Sequence, residues 1–238
     1  MSTYFTEIAH RLSHLPNESG LMPQARFTKE PPVLVKRCNS AVSYWHCFPP
    51  LMPNPIPDFD HNLVIPPHLG DPTSIDQLSP YRASTKDLCE KLCTSVDRKL
   101  ILEGLLDFRE CLRSEGIVEG FQWIDGSFLE DVERRERRSP RDIDVLTVYW
   151  IYDIDHQDTV AGKFPAFVDR RISKAQFKVD HFPLDMNAEP ELVIDSTLYW
   201  IQLFSHNRSA VWKGMLRIDL NTPETDIEAR EILTSFAP

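Results

Sequence analysis

Asp142 and Asp144 flank Ile143 and run directly into the apolar stretch from Val145 to Trp150. Alternate side chains of a β-strand share a face, so this pattern sets both carboxylates on one side and turns Ile143 and Val145 toward a core. Two acids about 6–7 Å apart along a strand repel each other unless a cation lies between them. Mg²⁺ or Mn²⁺, hard ions that seek oxygen, suit such a donor pair. An isolated D-x-D is more often only the polar start of a strand, and the apolar run behind this one gives it its weight. Gly126-Ser127 follows another short apolar run, Phe121-Gln122-Trp123-Ile124. Glycine permits close backbone approach and a following helix N-terminus offers free N–H groups, so a phosphate chain suits this place with the Ser127 hydroxyl as a further donor, while a strand-Gly-Ser pair taken alone is more often only a turn.

Asp180 is a third acid, in a run from Gln176 to Phe182 that reads as a strand. On that reading Lys178 and Asp180 share one face, with Phe177 and Val179 on the other. If this strand lies beside the one carrying Asp142 and Asp144, the three acids make a two-metal clamp. One ion would hold a triphosphate and the other would lower the pKa of an attacking hydroxyl. A salt-bridged surface aspartate is the plainer alternative for Asp180. Arg208 and Lys213 read either as triphosphate-neutralising cations or as surface charge next to the core.

Between Ser127 and Asp142 lies the densest basic stretch, with Arg134, Arg135, Arg137, Arg138 and Arg141. One reading is a solvated helical face in which the arginines pair with Glu133 and Glu136 at helical spacing. The other is a basic rim that guides a phosphate-bearing acceptor such as tRNA. Asp153 and Asp155 form a second acid pair without a Gly-Ser partner upstream and read as a turn and helix cap. Cysteines at 38, 47, 89, 93 and 111 form no C-x-x-C pair, and their odd number gives no disulfide framework. Cys89 and Cys93 read as small buried hydrophobes on a helix. His10 and His14 share that spacing without the glutamate of a zinc-protease motif, and a surface helix is expected there.

These residues need elements to hold them in place. Ser84-Thr85-Lys86-Asp87 is a capping-box signature. Leu100, Ile101, Leu105, Phe108 and Leu112 fall at helical spacing before Gly116, which predicts a helix over about 96–115. Strands are predicted at 121–124, 142–150, 176–182 and about 215–220, with helices at about 191–205 and 224–234. The sum is an α+β (α/β) domain, a mixed sheet with helices packed on it, over residues 58–238. Thirteen of the nineteen prolines lie in the first 80 residues, which predicts extended segments and turns there. Residues 1–57 read as a proline-rich extension that packs on the domain or on a protein partner, because Val33 to Val35 and Ala41 to Phe48 are too β-prone and aromatic for a disordered tail.

The 238 residues carry a formal net charge of −10, which argues against a protein that coats nucleic acid non-specifically and leaves room for a local basic site. No stretch approaches the roughly 20 apolar residues of a membrane span. Residues 1–18 lack the basic-then-apolar layout of a secretory signal, so a cytoplasmic protein is expected.

Gly126-Ser127, Asp142-x-Asp144 and a later strand aspartate together resemble the active-site pattern of the polymerase-β-like nucleotidyltransferase superfamily. The segment from Ile65 to Leu220 is more closely similar to an uncharacterised family of bacterial and phage-associated nucleotidyltransferase-like proteins. That segment covers about two thirds of the chain, and its matching pieces are Ile65 to Leu69, Trp123 to Phe128, Ser139 to Val145, Trp200 to Ser205 and Lys213 to Arg217. The resemblance implies a minimal nucleotidyltransferase fold, with Gly126 and Ser127 on the β- and γ-phosphates, Asp142 and Asp144 on Mg²⁺, and Asp180 as third ligand and helper of the general base. It implies transfer of a nucleoside monophosphate from an NTP such as ATP to a hydroxyl of tRNA, other RNA or a protein, in a toxin–antitoxin or anti-phage setting. The alternative is a catalytically inactive nucleotide- or protein-binding module on the same fold. Two features depart from the pattern. The fourteen residues 128–141 make a spacer slightly longer than usual, and residues 1–57 have no counterpart.

Overall fold

Ser84 and Asp87 exchange side-chain and backbone hydrogen bonds in a complete capping box that starts helix α1 (Thr85–Leu92). This is seen in a computed structural model, which describes residues 56–151 and 154–237. The predicted extension, except its last two residues, lies outside the described residues, as do His10, His14 and Asp153. Helix α2 (Val96–Ser114) starts at Ser95, whose side chain accepts from the Arg98 N–H, and ends before Gly116 at φ +78°. Ile101, Leu105, Phe108 and Leu112 are buried as their spacing predicts. Leu100 is not. It is 46% exposed, because Leu102 and Leu106 complete the buried stripe and turn it outward.

Five strands form one sheet in the order β1 (Tyr81–Arg82), β5 (Leu216–Asp219), β2 (Gly120–Asp125), β3 (Ile143–Tyr149), β4 (Val179–Asp185). β2 runs antiparallel to both neighbours, whereas β1–β5 and β3–β4 are parallel. A parallel neighbour requires a crossover. Between β3 and β4 it consists of α4 (Ile154–Lys163) and α5 (Arg170–Phe177). Three further helices are α3 (Val132–Glu136), α6 (Pro190–Phe204) and α7 (Pro223–Ser235).

One face of the sheet presents Ile124, Ile143, Val145, Val179 and Ile218 to the main core, with Leu88 and Cys89 of α1, the buried stripe of α2, and Ala229 and Leu233 of α7. Each Val, Leu, Ile or Phe side chain among them contributes about 1.5–3 kcal/mol by leaving water. Burial pushes the Cys89 thiol up to about 12, so this cysteine packs as a small hydrophobe. On the opposite face Leu146, Val148 and Leu184 pack with Trp200 and Phe204, the two buried residues of α6. Among the described residues no helix is long and apolar enough to cross a membrane.

The third strand departs from its predicted bounds. Residues 170–177 are helical, and β4 begins only at Val179. Asp169 caps α5 by accepting from the Arg171 N–H, and Phe177 packs edge-on against Phe108. A Cβ on Gly104 would lie 2.0 Å from the Phe177 carbonyl oxygen, so α2 and α5 approach here as only glycine allows. Lys178 closes the helix in a left-handed conformation, φ 56°. It therefore does not share a strand face with Asp180. Pro183 is tolerated because β4 is an edge strand.

Candidate active site

Strand register builds the centre of the site. Asp125 stands opposite Asp144 across β2 and β3, and Asp144 stands beside Asp180 across β3 and β4. Three carboxylates thus lie abreast at one end of the sheet. The next row on the same face is Trp123, Leu146 and Phe182. Asp142 falls one residue before β3. Burial, and then the charges of Asp125, Asp180 and Asp142, push the Asp144 carboxyl up to about 7. Asp125 is pushed up to about 6, with burial raising it and its ion pair with Lys213 opposing. Sequence reasoning overlooked Asp125. The available signal was an acid ending an apolar strand directly before Gly126.

Gly126 ties the Gly-Ser turn to the acid row. Its φ is +87°, and a Cβ there would sit 2.7 Å from Oδ2 of Asp144, so any other residue would be strained and would collide with the central acid. Ser127 opens a single 3₁₀ turn, Ser127–Leu129, before α3. The helix expected to follow Gly-Ser is therefore short. Two buried cations hold this turn from inside. Arg98 donates from Nη1 to the Phe128 carbonyl at 2.8 Å, from Nη2 to the Glu130 carbonyl at 2.7 Å, and from Nε to Glu133 at 2.7 Å. Lys213, 2% exposed, donates from Nζ to Asp125 Oδ1 at 2.7 Å and to the Gly126 carbonyl at 3.3 Å, with Glu130 at 3.5 Å. Its charge is committed beneath the turn rather than offered on the exposed side.

Two further cations reach the acids from α5. Arg170 makes a forked pair with Asp180, Nε to Oδ1 at 2.8 Å and Nη2 to Oδ2 at 2.6 Å, and its guanidinium lies over the Phe182 ring at 4.9 Å. Lys174 Nζ bridges Asp142 Oδ2 at 2.8 Å and Asp180 Oδ2 at 2.9 Å. The bond to Asp180 holds the Arg170 pKa above its ordinary value. Burial opposes the Lys174 charge, but the hydrogen bonds to Asp142 and Asp180 outweigh it and raise its pKa as well.

Among the described residues no group of three or more His, Cys, Asp or Glu side chains is arranged to hold a metal ion. The donor chemistry nevertheless fits a hard divalent cation. Every donor is a carboxylate oxygen, and Asp144 stands in the middle of like charges whose repulsion disfavours its ionised form.

The remaining predicted residues lie elsewhere. Arg135 pairs with Glu130 and, at 2.8 Å, with Glu136. Arg138 pairs with Glu136 at 2.6 Å, and Arg134 lies 3.6 Å from Asp131. Arg137 is the left-handed cap of α3 at φ 54°. Arg141 and Lys178 line a shallow cavity of about 280 Å³ with Asp97, Leu100, Ile101, Ser139 and Pro140. Arg208 is exposed in the turn after α6. The structure thus brings together Gly126, Ser127, Asp142, Asp144 and Asp180. It adds Asp125, Arg170 and Lys174, and leaves Lys178 and Arg208 outside the group.

Residues 57–219 match a family described as being of unknown function (DUF6932). No curated protein and no solved structure matches the chain.

Proposed function

The chain belongs to the DUF6932 family of unknown function, and we propose that it is a nucleotidyltransferase that moves a nucleoside monophosphate from an NTP to a hydroxyl. The observation that carries this reading is Gly126 packed against the central acid of the Asp125, Asp144 and Asp180 row. A phosphate-binding turn and a carboxylate cluster are then parts of one site. The acceptor oxygen forms a bond to the α-phosphorus, and the bond from that phosphorus to the α,β-bridging oxygen breaks. The electron pair leaves with pyrophosphate. The acceptor proton passes to a water molecule acting as general base, with Asp180 as its helper, and the proximity of the bound reactants assists. Backbone N–H groups of the Gly126-Ser127 turn and the Ser127 hydroxyl orient the β- and γ-phosphates. Asp142, Asp144 and Asp180 would hold Mg²⁺ or Mn²⁺. When bound, the ion supplies charge neutralisation on the triphosphate and a lowered pKa at the attacking hydroxyl.

Asp125, paired with Lys213, fixes the outer end of the row. The resemblance of the chain supports tRNA, other RNA or a protein side chain as acceptor and a role in toxin–antitoxin or anti-phage systems. Arg137 and Arg141, both exposed and outside the ion pairs that tie down Arg134, Arg135 and Arg138, are the arginines of the basic stretch that would meet a phosphate-bearing acceptor.

A second reading, an inactive module that binds nucleotide or protein on the same fold, draws on one observation: Asp180 is already engaged by Arg170 and Lys174. Incubation of the full chain with cell RNA and each α-³²P-NTP in turn separates the two. The enzyme labels an acceptor, and Asp142→Ala and Asp144→Ala abolish labelling in proteins that still fold. Labelling retained in both variants excludes this site. Mg²⁺-dependent NTP binding with no pyrophosphate released for any acceptor selects the inactive module.

A further inference from the structure

Asp142, Asp144 and Asp180 face two cations, Arg170 and Lys174, while Asp125 is matched by the buried Lys213. The two cations differ in how firmly they are held. Arg170 binds Asp180 with a two-pronged fork and stacks over Phe182, a geometry in which a guanidinium is preorganised. Lys174 holds its two carboxylates with a single ammonium at the end of a flexible stem whose side chain is 43% exposed. A divalent ion placed beside both cations would reverse the sign of the site. One monovalent charge therefore has to leave, and the singly anchored, solvent-reaching lysine is the one that can.

We infer that Lys174 is a displaceable counter-ion of the acid row: its ammonium competes with a divalent cation for Asp142 and Asp180 and, once displaced, contacts the polyphosphate of the nucleotide. This rests on the nucleotidyltransferase reading for the identity of the polyanion. The competition itself follows from the ammonium's position between the two carboxylates. Lys174 then links metal and nucleotide binding. The metal frees the lysine, and the freed lysine adds a cation to the phosphate site. Arg170 stays on Asp180 and fixes that carboxylate in place.

The test compares the wild-type full chain with Lys174→Met by calorimetry. Mn²⁺ is titrated without nucleotide, and a non-hydrolysable α,β-methylene ATP is then titrated at saturating Mn²⁺. Removing a competing charge at contact distance is expected to tighten Mn²⁺ binding on the order of tenfold. Removing the phosphate contact is expected to weaken analogue binding by a similar factor. Lys174→Gln repeats both measurements, and thermal melts verify that each variant folds. Mn²⁺ affinity that is unchanged or lower in both variants overturns the inference and makes Lys174 a positioning residue for the carboxylates. Tighter Mn²⁺ binding with unchanged analogue affinity overturns the transfer of the lysine to phosphate. Absence of Mn²⁺ binding to all three proteins overturns the competition. If Mn²⁺ binding tightens as expected but no nucleotide binds even the wild type, the counter-ion role stands and the nucleotidyltransferase reading fails.

Discussion

Two basic groups contrast in this molecule. The arginines from 134 to 141 are dense along the chain, yet Arg134, Arg135 and Arg138 are tied to Asp131, Glu130 and Glu136 of their own segment. Arg170 and Lys174 of α5 are inconspicuous in sequence, yet they converge on Asp142 and Asp180. Charge density along a chain therefore says little about where a field is left after local pairing. Carboxylates interleaved with the arginines absorb the first group. Carboxylates held apart by the sheet gather the second. Lys213 is a third case, a cation withdrawn from solvent altogether and locked between Asp125 and Glu130.

Stability measurements test this contrast. Lys213→Met should have the largest effect. It leaves Asp125 buried without its partner and Glu130 with Arg135 alone, and urea unfolding should show a loss of about 3–5 kcal/mol. A loss below about 1 kcal/mol would mean that the pair is far better solvated than its burial indicates. Arg170→Gln comes next, with a loss of about 1–2 kcal/mol, because the half-exposed guanidinium compensates a buried Asp180 that keeps Lys174 as a second partner. Arg138→Ala should change stability by less than about 0.5 kcal/mol, the usual scale of an exposed ion pair. Equal losses for Arg170→Gln and Arg138→Ala would erase the distinction between the two basic groups.

Asp144 links the same electrostatics to pH. Its folded pKa is raised to about 7 from the ordinary 3.8, so between those values the folded state binds more protons than the unfolded one. Stability should then fall as pH rises through that window. Asp125, raised to about 6, adds a fall of the same sign. Asp144→Asn removes the larger part, and at pH 7.5 it should stabilise the chain by about 1–2 kcal/mol. Thermal melts at pH 5 and pH 7.5 check this. A variant less stable than wild type at pH 7.5 would contradict the assigned burial and repulsion.

Much of this scaffold is local in the sequence. The Ser84–Asp87 capping box, the stripe from Ile101 to Leu112 and the alternation of Ile143 and Val145 each lie within one element, and short-range rules find them. The Gly126 turn was visible for the same reason. The site's charge balance was not. Lys213 meets Asp125 across 88 residues and Arg98 meets Glu133 across 35, and only the packing of elements distant in sequence brings them together. Residues 176–182 misled because Phe177 and Val179 look β-prone, whereas the helix capped by Asp169 runs on to Phe177, which passes closely over Gly104. That shift of frame hid Arg170 and Lys174, which lie four residues apart on one turn-spaced face of α5.

Label partition in the transfer reaction addresses the acid row most directly. The full chain is supplied with Mg²⁺, a hydroxyl acceptor identified from cell RNA or protein, and the same NTP labelled at either the α- or the γ-phosphate. Nucleotidyl transfer puts the α-label on the acceptor and the γ-label into released pyrophosphate, and both signals disappear in Asp144→Asn while the protein remains folded. A γ-label on the acceptor, or undiminished α-labelling by Asp144→Asn, would contradict a nucleotidyltransferase centred on this row.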